Sequence, residues 1–280
     1  MLSMPFSVNG DFKFKLEQLK SNLKQMKCVA IAFSGGVDST FLTKVAYDVL
    51  GENVVAVTAS SSIFPKRELE EAKQFAKQIG MSHIITTSEE TDIKNFSDNS
   101  LNRCYYCKKD LFSKMKKIAI ENQIHYMLDG SNADDSLDYR PGMKALKELK
   151  IISPLIDVGL TKKEIRELSK NIGLETWDKP AFACLASRIP YGEKITKSKL
   201  KHVEKAEDFL SSLQCTQYRV RHHGDTARIE VLPDDFQKIF NHSSKIVDYF
   251  KKLGFSYVTL DLQGYKMGSL NEDLHHGKHS

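Results

Sequence analysis

The segment Ser34–Thr40, SGGVDST, holds the densest set of side chains able to do chemistry. It lies between an apolar run, Cys28–Phe33 (CVAIAF), that reads as a buried strand, and a stretch with helical periodicity. Gly35 and Gly36 lack a Cβ, so the backbone can turn sharply there and its N–H groups can approach an anion. The following helix adds the partial positive charge of its N-terminus. Ser34, Ser39 and Thr40 add hydroxyl donors. Asp38 repels a bare phosphate, so it is expected to meet Mg²⁺ or to cap the helix. The same residues also suit an ordinary strand-to-helix turn with a Ser/Asp cap. The spacing is neither GxxxxGK[ST] nor GxGxxG.

The thiols form the second candidate set. Cys104 and Cys107 make a C-x-x-C pair at the start of a predicted helix, beside Lys108 and Lys109, and Cys184 follows 77 residues after Cys107. Such a pair can be redox-active, can bind zinc or a cluster, or can be coincidental. Zinc needs a fourth ligand, and no second C-x-x-C or matching His pair is present. Three thiolates suit an iron–sulfur cluster with one iron left open, although four protein ligands are commoner. Cys28 reads as core and Cys215 as structural.

Arginines supply the third set. Arg219 and Arg221 alternate along a predicted strand and so share a face, and Arg188 follows Ser187 in SRIPYG. Guanidinium forks grip phosphate and carboxylate, although solvated surface arginine is the plainer alternative. Lys108 is a further phosphate candidate. Asp134, Asp135 and Asp138 can assist Mg²⁺ or form turns, and the first two read as turn formers. Glu207, Glu230 and Asp235 read as solvated carboxylates, and His222 and His223 as surface residues. His275, His276 and His279 look idle, and Trp177 reads as a packing residue.

The elements that must position these groups alternate. Predicted strands cover residues 28–33, 53–59, 83–86, 125–128 and 151–153. Predicted helices cover 11–26, 38–50, 66–79, 104–122 and 161–172, the last opening on a Thr161-to-Glu164 capping box. This pattern predicts a parallel sheet with helices on both faces. Beyond about residue 190 it changes to helix 196–213, strands 217–222 and 227–232, helix 234–253 and strand 257–262. We place a boundary at Gly192, giving an α/β domain over 1–192 and a small α+β domain over 193–280.

The chain has 280 residues, 41% hydrophobic and 28% charged, with a net charge of +5, values that indicate a folded protein suited to anionic small molecules. No apolar run of about 18 residues is present, so no transmembrane helix is expected. The first 20 residues lack an uninterrupted apolar core and a small-residue cleavage site, so no signal peptide is expected. Five cysteines, an odd number, argue against a disulfide framework and for a cytoplasmic location.

SGGVDS after the first strand resembles the PP-loop of the ATP pyrophosphatase superfamily, whose members include GMP synthetase, asparagine synthetase and tRNA thiolases. The resemblance implies cleavage of ATP to AMP and pyrophosphate, a five-stranded parallel sheet, and ATP at the carboxyl ends of its strands. Longer segments resemble the LarE family of ATP-dependent pyridinium-3,5-biscarboxylic acid mononucleotide sulfur transferases, which serve nickel-pincer cofactor biosynthesis. These are residues 128–142 (LDGSNADDSLDYRPG), 152–170, 178–192 (DKPAFACLASRIPYG), 218–231 (YRVRHHGDTARIEV) and 257–271.

That resemblance implies that Ser34, Gly35, Gly36, Asp38, Ser39, Thr40 and Gly130 bind ATP and Mg²⁺. It implies that Ser187, Arg188, Arg219 and Arg221 bind a pyridinium mononucleotide, and that Lys108 and Asp38 assist catalysis. One form of the family gives up a cysteine sulfur and is left with dehydroalanine. Another holds a [4Fe-4S] cluster on three cysteines, the form this chain resembles through Cys104, Cys107 and Cys184. Ala183 aligns with the sacrificed cysteine, one place before Cys184, so a single-use Cys184 is the alternative. The resemblance also hints at an acidic metal or subunit-interface site at Glu207, Glu230 and Asp235, a separate sulfur donor, and a homo-oligomer built through the small domain. No membrane or nucleic-acid partner is expected. A tRNA thiolase and a non-catalytic nucleotide- or redox-sensing protein are the competing readings.

Overall fold

Val29, Ala30 and Ile31 are wholly buried, as an apolar run at the centre of a parallel sheet must be. They form β1 (Val29–Ala32) of a computed structural model that describes residues 8–137, 141–180 and 183–266. The chain divides into two units. The first takes residues up to Ser61, Lys66–Ser88 and 104–180. The second takes Ser62–Pro65, Glu89–Arg103 and 183–266. The expected boundary at Gly192 falls within the last of these stretches.

In the first unit, α1 (Val8–Met26) precedes β1, and α2 (Val37–Leu50) follows it. Then come β2 (Val54–Ser60), α3 (Lys66–Ile79), β3 (Ser82–Thr87), α4 (Arg103–Glu121), β4 (Tyr126–Leu128), α5 (Pro141–Glu148) and α6 (Lys162–Asn171). The strands are all parallel, in the order β3-β2-β1-β4. β1 is therefore the strand from which the chain runs first one way and then the other, which opens a crevice at its carboxyl end. Val29, Ile31, Val54, Ala56 and Leu128 join the core formed with α1, α2, α3 and α6. Ala30, Val57 and Met127, which point the other way along their strands, are buried as well, so both faces are covered.

The sheet has four strands rather than five. Ile152 pairs with Leu128 in a single parallel bridge, through Ile152 N–H to Met127 O (3.0 Å) and Asp129 N–H to Ile152 O (2.9 Å). Pro154 stops it there, because proline has no N–H to donate and restricts the residue before it. A one-turn helix, Pro154–Asp157, begins instead. The predicted capping box is present in full: the Thr161 hydroxyl accepts from Glu164 N–H, and the Glu164 carboxylate accepts from Thr161 N–H.

The second unit holds α7 (Lys197–Ser212), β5 (Tyr218–His223), β6 (Thr226–Val231), α8 (Phe236–Asn241), α9 (Ser243–Lys252) and β7 (Tyr257–Leu260). β5 and β6 pair antiparallel, and β7 adds parallel to β6. The single helix expected over 234–253 is two, separated at His242. Asn241, His242, Ser243 and Ser244 are weak helix formers whose side chains compete for the backbone. The tail beyond residue 266, with His275, His276 and His279, lies outside the described residues.

His222 is not a surface residue. It is 5% exposed, its ring stacked on His202 (6.2 Å between centroids) and tilted against Phe255 (5.0 Å). Along β5 it alternates with Arg219 and Arg221, and α7 packs against that strand, bringing His202 onto its ring. Burial, with Lys199 adding repulsion, pushes the His222 pKa down to about 4, against the pull of Glu193. A histidine held neutral by the fold takes up its proton first in the unfolded chain, so its contribution is lost as pH falls from about 6.5 toward 4. Urea unfolding at pH 7 and pH 4.5 is expected to show less acid destabilisation for His222→Phe than for the natural chain. Equal losses would show that His222 is not the group responsible.

Candidate active site

β1 ends at Ala32, and Phe33 N–H extends its ladder by donating to Val57 O (2.9 Å). The Phe33 carbonyl accepts from the buried Thr58 hydroxyl (2.6 Å), and His83 Nε2 lies 2.7 Å from the same hydroxyl. This fixes the point at which the chain turns. Gly35 then adopts φ +71°, and a side chain there would be strained and would meet the Glu68 carbonyl at 3.4 Å. Gly36 is the N-cap of α2 and offers no side chain to cap it. Ser39 Oγ instead faces back into the turn. It accepts from Ser34 N–H (3.3 Å), lies 3.0 Å from Ser34 Oγ and donates to Gly36 O (3.2 Å). The orphan N–H groups of the first turn and a helix dipole worth about half a charge are left at the carboxyl end of the central strand.

Gly130, just after β4, completes this corner. A Cβ there would sit 3.0 Å from Ser39 N and cover it. Thr40, in contrast, is 1% exposed, and its N–H is spent within the helix on Gly36 O.

Asp38 lies in the first turn of α2. Its Oδ2 accepts from Lys162 Nζ (2.6 Å), while Oδ1 is buried without a hydrogen bond of normal geometry. Burial raises its pKa. The Lys162 charge opposes this, Asp135 reinforces it, and the nearby Asn132 side chain opposes it. An unsatisfied carboxylate oxygen beside an anion-binding turn fits a hard divalent cation. Asp135 is a turn former, as expected, its Oδ2 accepting from Asn132 N–H (3.0 Å), whereas Asp134 Oδ2 accepts from Lys162 N–H (2.9 Å) at the start of α6. Asp138 lies outside the described residues. Asp129, at the end of β4, is held by the Ser131 and Ser153 hydroxyls, each 2.5 Å away.

Cys104 and Cys107 lie one turn apart at the start of α4, the first exposed and the second half-buried. The Lys108 stem runs along Gly142. Cys184, half-buried, belongs to the second unit. Among the described residues, no three His, Cys, Asp or Glu side chains are gathered as a metal-holding group. Burial, reinforced by Asp235, pushes the Cys215 thiol up to about 11, so it is inert at neutral pH.

In the second unit, the expected solvated carboxylates are buried. Glu207 and Glu230 are each 1% exposed because they receive arginine forks. Arg188 is wholly buried, with Nε and Nη2 donating to Glu207 (2.8 and 3.1 Å). Its Nη1 donates to Ala183 O, Cys184 O and Ser187 Oγ. Arg221 donates from Nε and Nη2 to Glu230 and from Nη1 to Ser187 O (2.7 Å). Burial opposes ionisation of Glu207, but the Arg188 charge and hydrogen bonds outweigh it and hold the carboxyl below the usual range. Arg219 lies over the Tyr265 ring (5.1 Å), its pKa pushed down to about 10 by burial and by Arg188. Asp235 accepts from Thr216 N–H and Lys238 rather than facing solvent. Arg188 and Arg221 thus converge on the turn Cys184–Ser187.

Sequence reasoning missed Lys162, Lys179, Thr58 and Asp129. The DKP context of Lys179, the LDGSN context of Asp129 and the 152–170 segment that holds Lys162 had been singled out, but none of the three side chains had, and Thr58 stood only in a predicted strand.

The PP-loop domain family matches residues 8–178. An uncharacterized protein of Synechocystis sp. is 45% identical over 93% of this chain and 98% of its own length. The pyridinium-3,5-bisthiocarboxylic acid mononucleotide synthase of Lactiplantibacillus plantarum is 37% identical over 93% of this chain and 95% of its own. A glutamine-hydrolysing GMP synthase chain of Saccharolobus solfataricus is 27% identical over 72% of this chain and 60% of its own.

Two substitutions test the geometry. Ionised Asp38 costs the fold stability above its raised pKa, a cost relieved as pH falls through that value. Asp38→Asn is therefore expected to leave Tm at neutral pH unchanged or higher while weakening Mg²⁺-dependent ATP binding about tenfold, a loss of ~1.4 kcal/mol. A lower Tm with undiminished binding would reverse both assignments. Glu207→Gln strands the buried Arg188 charge, and urea unfolding is expected to show a loss of about 3–5 kcal/mol.

Proposed function

The chain belongs to the PP-loop domain family, and from that membership we propose that it is an ATP-dependent sulfur transferase acting on pyridinium-3,5-biscarboxylic acid mononucleotide in nickel-pincer cofactor biosynthesis. The observation that carries the reading is the uncapped N-terminus of α2, left open by Gly35, Gly36 and Gly130 at the carboxyl edge of the central strand. The likeness of nearly the whole chain to a synthase of the bisthiocarboxylic product supports the substrate class.

In this reading the α2 amides and the Ser34 and Ser39 hydroxyls hold the ATP phosphates. Asp38 holds Mg²⁺, which supplies charge neutralisation on the phosphates. A substrate carboxylate oxygen attacks the α-phosphorus, and pyrophosphate leaves. The acyl-adenylate then loses AMP when sulfur attacks the acyl carbon. Arg219 and the Ser187 turn bind the substrate anions. Arg188 and Arg221, saturated by their carboxylates, hold the backbone of Cys184 and Ser187 in place. Lys108 assists with phosphate.

The motif resemblance supports a [4Fe-4S] cluster on Cys104, Cys107 and Cys184, which would furnish an extra sulfide when bound. Cys104 and Cys107 would supply two thiolates from the first unit and Cys184 a third from the second. With Cys184 as the sacrificed donor, its Sγ attacks the acyl carbon. Loss of the Cα proton and cleavage of Cβ–Sγ then leave the thiocarboxylate and dehydroalanine. A homo-oligomer joined through the second unit completes the proposal. No described helix is long and apolar enough to cross a membrane.

Cys184→Ala, assayed anaerobically with ATP, Mg²⁺ and the biscarboxylate, is expected to release pyrophosphate at near-normal rate and to form no thiocarboxylate. Undiminished thiocarboxylate would remove Cys184 from the chemistry. Iron and sulfide analysis of the natural chain, with intact-mass measurement after turnover, separates the two donors: loss of one H₂S mass marks a spent cysteine.

A further inference from the structure

Lys179 lies in the DKP stretch, five residues before Cys184. Its side chain is 13% exposed. Nζ donates to Glu68 Oε2 (2.7 Å) and Glu71 Oε2 (2.5 Å) on α3, and to the carbonyl oxygen of Gly35 (3.1 Å). Its own backbone is fixed too. Arg166 on α6 donates from Nη1 to Trp177 O (2.7 Å) and from Nη2 to Lys179 O (2.8 Å). Lys170, one turn on, sits 4.5 Å over the Trp177 ring. Lys162, one turn before Arg166, holds Asp38. One face of α6 therefore holds Asp38 directly, through Lys162, and the backbone of Lys179, through Arg166.

The Gly35–Gly36 peptide has no Cβ on either side, so little but its hydrogen bonds decides which way it faces. In a trans peptide the C=O and N–H point in opposite directions. An ammonium fixing the Gly35 oxygen on the α3 side thus turns the Gly36 N–H to the other side, where its own partner, Ser34 Oγ, is a distant 3.4 Å. We infer that Lys179 is a positioning residue: anchored by Glu68 and Glu71, it sets the orientation of the Gly35–Gly36 peptide and so presents the Gly36 amide to the nucleotide phosphates. The inference rests on the nucleotide reading of this turn. The carboxylates serve as anchors, and the glycine carbonyl is the group positioned. A lysine held in reserve as a direct phosphate ligand uses the same three contacts in the opposite sense, because the carboxylates then compete with phosphate for it.

The two senses differ in sign. Calorimetry with ATP and Mg²⁺, and amide exchange of Gly36 by NMR without nucleotide, are to be run on the full chain and on Lys179→Met, Lys179→Arg and Glu68→Gln. Lys179→Met is expected to speed Gly36 exchange and to weaken ATP binding about tenfold, the scale of one charge-assisted hydrogen bond. Lys179→Arg is expected to recover most of both. Glu68→Gln is expected to weaken ATP binding in the same direction, by loosening the anchor, and it answers the question alone if Lys179→Met does not fold. Unchanged Gly36 exchange in folded Lys179→Met overturns the inference. Tighter ATP binding by Glu68→Gln also overturns it and makes the ammonium a phosphate ligand. If the natural chain binds no ATP, the nucleotide reading falls, while the Gly36 exchange rates still decide the role of Lys179.

Discussion

An α-helix that begins without a side-chain cap leaves several N–H groups unpaired, and a fold tolerates this only where another partner is due. α2 begins that way, directly after an interior strand of the sheet. The three glycines around it act by absence. Gly35 allows the positive φ, Gly36 withholds a cap, and Gly130 keeps Ser39 N uncovered. The remainder of the first unit can be understood as holding that corner open. β2 contributes Thr58 to the Phe33 carbonyl, α3 contributes the two carboxylates that anchor Lys179, and α6 contributes Lys162 and Arg166.

Charge is used differently in the two units. Around the turn, ion pairs are partly exposed: Lys162 and Asp38 keep 31% and 20% of their side-chain surface. Such pairs are weak individually and can rearrange when an anion and a cation arrive. In the second unit, Arg188–Glu207 and Arg221–Glu230 are almost wholly dehydrated. Burying charge carries a large desolvation cost, met only when every donor and acceptor is matched. Both forks do match, and their spare donors end on the backbone of Ala183, Cys184 and Ser187. These arginines are better described as fixing a thiol-bearing turn than as free forks awaiting an anion.

Helices with strong periodicity were legible down to single residues. The 66–79 helix has the expected bounds, and the capping box at Thr161 is formed by the named atoms. Short-range patterns of this kind are decided within a few residues, so sequence alone suffices. The fifth strand failed because one proline outweighed an apolar run, and the 234–253 helix failed because four weak formers interrupt it. His222, Glu207 and Glu230 were misread for a different reason. Alternation along a strand tells which residues share a face, but not what packs on that face.

The amino-acid sequence by itself determined the glycine-rich turn, the alternation that yields a parallel sheet, and the identity of the thiols and arginines near Ser187. Each depends on neighbours close in the chain, or on the presence of a residue type. Tertiary structure alone decided which charges are neutralised and by whom: Lys162 with Asp38, Lys179 with the Gly35 carbonyl, Arg188 with Glu207. These partners are separated by 124, 144 and 19 positions. Coulombic pairing and desolvation depend on distance through space, which local sequence does not encode.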